Sequence, residues 1–192
     1  MESQINTKYI KRNYPNRLCQ GDILKNVEIL IASDFDNDSK EYTRGFLTLQ
    51  YCVLINQECD LLADYNARVL SNSAEIKADK ILPSILLLPA YHAEQFKQGI
   101  HLPQREKWNS DQFRIIKQNN NSRFHYIEAF EDLQIPEMII DFKHLYTITA
   151  NIVNKRINDF YLASINELYR ESLSQRYCNY LRWVLKIHFF SI

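Results

Sequence analysis

The residues best equipped for chemistry stand together at Asn56-Gln57-Glu58-Cys59-Asp60-Leu61, directly after the apolar run Tyr51-Cys52-Val53-Leu54-Ile55. A cysteine acts as a nucleophile when a nearby cation stabilises its thiolate, a base takes the proton and amide donors hold the oxyanion. On that reading Cys59 attacks, His125 or His144 is the base brought in by the fold, and Gln57 or backbone amides hold the oxyanion. Glu58 and Asp60 work against it, because flanking carboxylates raise a thiol pKa. They favour a structural reading, in which Cys59 is a small buried residue at a strand end and Asp60 or Asn56 caps backbone amides.

Arg44 opens a second chemistry. Metal-free RNA cleavage could use an arginine for transition-state charge and a carboxylate or histidine as base. Arg105, Lys107, Trp108, Phe113, Arg114 and Lys117 could then stack on bases and touch phosphates. A partly exposed loop with a packed tryptophan is the favoured explanation of those residues. His92, His101, His125, His144 and His188 form no HxH or HxxxH pair, so no metal site is expected. Asp141, closing Met138-Ile139-Ile140, reads as a turn or cap carboxylate, or as the ion-pair partner of Arg176 or another basic residue.

Composition narrows the classes. With 192 residues and 46% apolar content the chain can bury a substantial core as one domain. Its 23 basic and 23 acidic residues leave no overall field for nucleic acid, so any such binding needs a local patch. Three glycines cannot supply a P-loop or a dinucleotide fingerprint, and no cofactor or nucleotide is expected. Cys19, Cys52, Cys59 and Cys178 show no CxxC spacing and no leader precedes them, which reads as a reduced, cytoplasmic setting. The longest strong apolar run, Ile85-Leu86-Leu87-Leu88, is strand-sized and far short of the ~20 residues that span a bilayer.

Positioning these groups falls to a mostly β body. Residues 1–20 read as an arm laid over it, and Gly21-Asp22 opens a bent first strand through Ile23-Leu24 and Val27 to Ala32. Asp34 to Lys40 reads as a polar turn, and Phe46 to Ile55 as a long central strand. Residues 62–80 are mixed, with a break at Ser71-Asn72-Ser73. Pro83 to Pro89 encloses a buried strand, and Ala90 to Gln98 a short helix stopped by Gly99. Arg114 to Lys117 and Phe124 to Ile127 read as a hairpin around Gln118-Asn119-Asn120-Asn121-Ser122. Met138 to Ile140 and Tyr146 to Ile148 add short strands. Ser164 with Glu167 reads as a capping box, after which Ile165, Leu168, Tyr169, Leu173, Tyr177, Tyr180, Leu181 and Val184 recur at helical spacing over about six turns. The apolar end, His188 to Ile192, should dock on the body or meet another chain.

Four segments in order resemble a family of uncharacterised bacterial proteins: Gly21-Asp22-Ile23, Asn56 to Leu61, Ile140-Asp141-Phe142 and Leu173-Ser174-Gln175-Arg176-Tyr177. The likeness spans residues 20 to about 182 and implies little chemistry. More remotely, the Gly-Asp-Ile opening and the strand ending in Asn56 are similar to the start of MazF/PemK-like toxins, SH3-like barrels that cleave RNA. That resemblance implies a phosphate-contacting role for Arg44. Gly45 follows Arg44 where those toxins carry proline, so the barrel is the better inference than the nuclease.

Together these readings predict an α+β protein of one domain: an arm at 1–20, an antiparallel SH3-like β-barrel with inserted short helices at 21–163, and a C-terminal helix at 164–187. The leading function is a non-catalytic interaction or regulatory module of a bacterial stress or defence system. An aromatic-rich helical stripe usually packs on its own sheet; in the module a protein partner or second copy would instead sit on Tyr169, Tyr177, Tyr180, Phe189 and Phe190. The alternative is a MazF-like ribonuclease or nucleic-acid-binding protein, or a Cys59-dependent hydrolase using Gln57, Asp60 and His125. The enzyme predicts Cys59 or Arg44 in a concave pocket beside a histidine or carboxylate. The module predicts Cys59 buried and a hydrophobic patch near the C-terminus.

Overall fold

A computed structural model describes residues 8–13, 15–69, 78–103 and 105–189, with residues 33 and 184–189 described by backbone alone. Eight strands among them form one curled antiparallel sheet: β1 (Tyr9–Ile10), β2 (Asp22–Asp36), β3 (Glu41–Leu54), β4 (Ser84–His92), β5 (Phe124–Ile127), β6 (Met138–Asp141), β7 (Tyr146–Thr149) and β8 (Tyr161–Ile165). The path runs β1-β8-β2-β3-β4-β6-β5, with β7 also paired to β4. The result is a half-barrel in an α+β fold, and β1 and β5 are its two unjoined ends.

The long strands follow from alternation. In β3, Phe46, Thr48 and Gln50 face away from Leu47 and Leu49, and the strand becomes apolar on both faces at Cys52-Val53-Leu54. Asn26 sits at φ 51°, and there the core-facing parity of β2 shifts from Leu24 to Val27. Beyond the bend β2 pairs only with β3, since β8 reaches only Asp22–Leu24 and β4 only Cys52–Leu54 of their neighbours. The distal part is therefore a two-stranded ribbon. Its polar turn is shorter than the sequence predicts, because Asp34 and Asp36 belong to β2 and Arg44 lies inside β3 opposite Ala32.

Two cores cover the two sheet faces. Leu24, Ile29, Leu49, Leu54, Ile85, Leu87 and Phe160 build one, closed by α1 (Glu58–Val69), α4 (Ala150–Lys155) and α5 (Ile157–Phe160). Ile23, Val53, Leu88, Met138, Ile140, Phe142 and Leu173 build the other, beneath α6 (Glu167–Phe189). A third, smaller cluster joins α2 (Ala93–Gln98) and α3 (Ser110–Lys117) to β5 and β6 through Phe96, Ile116, Phe124 and Ile139. Each fully buried side chain of this kind contributes about 1.5–3 kcal/mol.

Several sequence readings are corrected. Glu58 to Asp60 opens a helix and does not simply turn the chain; α1 buries only Leu61 and Asp64, too little periodicity to announce itself. Arg114 to Lys117 is helical, not half of a hairpin, because Asn109 and Gln112 form a reciprocal capping box that starts α3. Ser164 is in β8 and caps nothing: its hydroxyl donates to Asp22 at 2.7 Å. The arm contributes β1, which pairs with β8. The predicted short helix is found but starts at Ala93, because Ala90 to His92 extend β4 against β6; Gly99 stops it at φ 76° in the left-handed conformation that glycine tolerates. The break at Ser71-Asn72-Ser73 and the residues Phe190 to Ile192 lie outside the described residues.

Candidate functional site

The signature segments turn out to be anchors. Asp22, fully buried, accepts both contacts of the Arg12 guanidinium at 2.6 and 2.7 Å, the Cys19 amide at 2.8 Å and the Ser164 hydroxyl. It thereby ties the arm to β2 and β8. Gly21 precedes it at φ 80°, where a Cβ would meet the Arg170 side chain at 3.0 Å. Glu58 accepts Arg17 at 2.7 Å and the Gln20 amide at 2.8 Å, with Arg170 3.7 Å away. Asn56 accepts the Leu86 amide, and Asp64 the Leu82 amide plus both contacts of the Arg68 Nε. Asp141 pairs in two-pronged fashion with Arg123 at 2.6 and 2.7 Å, not with Arg176. Arg176 instead donates to the carbonyls of Asn119, Asn121 and Phe124.

Cys59 is exposed on the first turn of α1, which overturns its reading as a buried turn residue. Its sulfur lies 3.6 Å from Gln57 Oε1 and 3.7 Å from Asp60 Oδ1, both oxygen acceptors. In both contacts the thiol is the donor. Arg44 is exposed on the ribbon, in a shallow depression with Leu30, Ile31, Ala32 and Tyr42 that contains neither histidine nor carboxylate. The Trp108 ring stacks on Phe96 at 5.6 Å and is covered by Arg105 at 4.7 Å, so it is engaged within the fold. Cys59, Arg44 and His125 occupy three separate regions.

One cleft gathers the remaining candidates. Between the unjoined sheet ends β1 and β5, closed on one side by α6, lies a cavity of about 480 Å³. Tyr9, His125, Tyr126, Ile127, Ile165 and Tyr169 line it, with Lys8, Lys117 and Glu128 at its rim. It exists because β1 and β5 are bridged by side chains and not by a strand ladder. The Tyr9 hydroxyl donates to the Glu128 carbonyl at 2.6 Å, and Lys8 pairs with the Glu128 carboxylate. Side chains also occupy the outer edge of β5: Asn119 accepts the Tyr126 amide at 2.7 Å and Arg176 holds the Phe124 carbonyl. Such capping guards an edge strand against pairing with other chains.

The charges of the cleft are compensated. Lys117 pairs with Glu137 at 2.6 Å, and Glu137 also accepts the Tyr126 hydroxyl. Burial opposes the Glu137 charge, but the Lys117 and Tyr126 hydrogen bonds outweigh it and hold the carboxyl below its ordinary value. Lys8 stands over the Tyr169 ring at 5.8 Å. His125 is the unsaturated group. Burial, and then the Arg176 charge, push its pKa down to about 3, so the ring is neutral near pH 7. Its Nδ1 is buried without a hydrogen-bond partner. The cheaper neutral tautomer protonates Nε2 and leaves Nδ1 as a bare acceptor. A base of so low a pKa removes protons poorly at neutral pH. Ser172, also in the lining, has no described hydrogen bond to it.

Of the residues expected to meet a partner, Tyr169 lines the cleft while Tyr177 and Tyr180 face inward against Phe142, with ring centroids 5.6 and 6.0 Å apart. Phe190 lies outside the described residues, and only the backbone of Phe189 is described. Exposed apolar side chains also stand on the ribbon, where Phe46 is 76% exposed. Sequence reasoning missed Tyr9, Tyr126 and Ile127. Alternation in Phe124 to Ile127 marked a strand, but nothing local marked it as a sheet end. Among the described residues no three His, Cys, Asp or Glu side chains converge as metal ligands would, and no helix is long and apolar enough to cross a membrane. No protein-family model matches the chain, and neither a curated protein nor a solved structure is detectably similar to it.

Proposed function

We propose that this protein is a non-catalytic interaction module that receives a protein partner in the seam cleft, holding one large apolar side chain of the partner among Tyr9, Tyr126, Ile127 and Tyr169. The observation that carries this reading is the cleft's chemistry: an aromatic lining, rim charges already paired, and a neutral imidazole with no bonded nucleophile. Buried aromatic anchors in small pockets supply most of the energy in protein recognition, and the volume is that of an ordinary ligand pocket. The Lys8–Glu128 and Lys117–Glu137 pairs would read the charges flanking the anchor. An SH3-like description of the curled sheet belongs to the same proposal and is supported by the bend at Asn26. A regulatory, toxin-antitoxin-like role in a bacterial stress or defence system rests on the sequence resemblance alone. A cytoplasmic setting fits the four free cysteines.

Peptide display on the whole protein tests the module. Selected peptides should share a large apolar residue and bind the Ser172→Trp variant, in which the cleft is filled, at least about tenfold more weakly, a loss of roughly 1.4 kcal/mol. Peptides that bind both proteins equally, or a selection that enriches none, overturn the reading. Hydrolysis of RNA or of an ester that disappears on Cys59→Ser, Arg44→Ala or His125→Gln would establish the enzyme instead.

A further inference from the structure

The ribbon carries apolar side chains on both faces. On one face Ile29 and Leu49 are buried, with Ile31 and Leu47 packed beside them. The opposite face presents cross-strand rows Glu28/Thr48, Leu30/Phe46, Ala32/Arg44 and Phe35/Tyr42. There Phe46 is 76% exposed, Tyr42 60% and Leu30 59%, and the Phe35 and Tyr42 rings lie 4.8 Å apart. A sheet face left to water normally carries polar residues, and contiguous apolar rows mark an interaction surface.

Charge along the ribbon is polarised. Asp34, Asp36, Asp38 and Glu41 surround the tip with only Lys40 against them. At the foot stands Lys25, close enough to Lys11 that burial and then the Lys25 charge lower the pKa of Lys11. A closed homodimer is two-fold symmetric, and two stacked faces allow the axis to run along the ribbon or across it. An axis along the ribbon lays acidic tip on acidic tip. An axis across it, through the Leu30/Phe46 row, reverses the order of rows. Glu28/Thr48 then lies on Ala32/Arg44 of the other copy, which brings Glu28 beside Arg44. Allowing for the bulge between Ala32 and Asp34, the Lys25/Tyr51 row comes level with the Asp36/Glu41 row of the other copy, which sets Lys25 against the acidic tip.

We infer that the outward face of the β2–β3 ribbon binds a second copy of this chain, ribbon stacked antiparallel on ribbon about the Leu30/Phe46 row. About ten residues on each side meet, against 20–30 in a standard interface, so the dimer is weak and reversible. The surface is distinct from the seam cleft, and the inference does not rest on the proposed function.

Sedimentation equilibrium of the whole chain across a wide concentration range tests it. The expected result is a monomer–dimer equilibrium that weakens in high salt. Leu30→Ser with Phe46→Ser should leave a folded monomer by circular dichroism, since both side chains face water in the single chain. Arg44→Glu should weaken dimerisation about tenfold, a loss of roughly 1.4 kcal/mol, and Glu28→Arg in the same chain should restore it. Ser172→Trp should leave the dimer untouched. A wild-type chain that is monomeric at every concentration, a dimer indifferent to the serine or glutamate variants, or one lost on Ser172→Trp overturns the inference.

Discussion

Asp22, fully buried, and His125, half-buried, are both polar side chains near a strand terminus, and their surroundings are opposites. Every face of the Asp22 carboxylate is used: a guanidinium, an amide and a hydroxyl converge on it from the arm and from β8. His125 faces a cavity, keeps a ring nitrogen with no partner among the described residues, and is held neutral first by burial and then by the Arg176 charge. Leaving a buried polar group unpaired costs about 1–3 kcal/mol, so a saturated cluster is what stability alone produces. The same contrast separates Glu58 from its neighbour Cys59. One carboxylate gathers two arginines and an amide, while the adjacent thiol meets solvent and two oxygen acceptors.

The largest test of this contrast is Asp22→Ala. It strands the partly buried Arg12 charge, whose Nε already lacks a partner, and should cost about 3–5 kcal/mol in urea unfolding, with release of the arm. A loss below 1 kcal/mol would remove Asp22 from the list of anchors. The pH profile comes next. His125 and His101 have folded pKa values near 3 and near 4, each lowered first by burial, so the unfolded chain binds more protons. Their contribution is complete above about pH 6.5 and is lost as pH falls towards those values. His125→Gln should remove up to one proton from the uptake on unfolding at pH 5, read from the pH dependence of the urea midpoint. Glu58→Ala should cost less, about 1–2 kcal/mol, because Glu58 is partly exposed to water whereas Asp22 is fully buried. Smallest of all, Cys59→Ser should change stability by less than about 0.5 kcal/mol. In the folded protein Cys59 should react with thiol reagents well ahead of the buried Cys52, and a protected Cys59 would restore its structural reading.

Legibility followed the range of the interactions. Strands β3, β4 and β6 and the long helix were readable because side-chain periodicity is written within a few residues of each position. Helix α1 was not, since it buries little of its own sequence, and α3 was mistaken because Phe113, Ile115 and Ile116 fit either period. The Asn109–Gln112 box was the available signal. Asp22, Glu58 and Asp141 stood out as polar residues at strand ends, but their roles depended on Arg12, Arg17 and Arg123, and Asp22 is joined to Ser164 across 142 positions. The aromatic recurrence in α6 was legible, and Tyr177 and Tyr180 pack on the body against Phe142, while Leu168 is left 77% exposed.

By itself the sequence determined the main strand segments, where the long helix runs and how much apolar surface must be covered, because propensity and alternation act locally. Tertiary structure alone decided which carboxylate neutralises which arginine, that Cys59 faces water, and that Tyr9 meets Glu128 from 119 positions away to frame a cleft. Those outcomes depend on how the sheet curls and where its ends stop. Curl and closure are properties of the whole strand order, and no short stretch of the chain carries them.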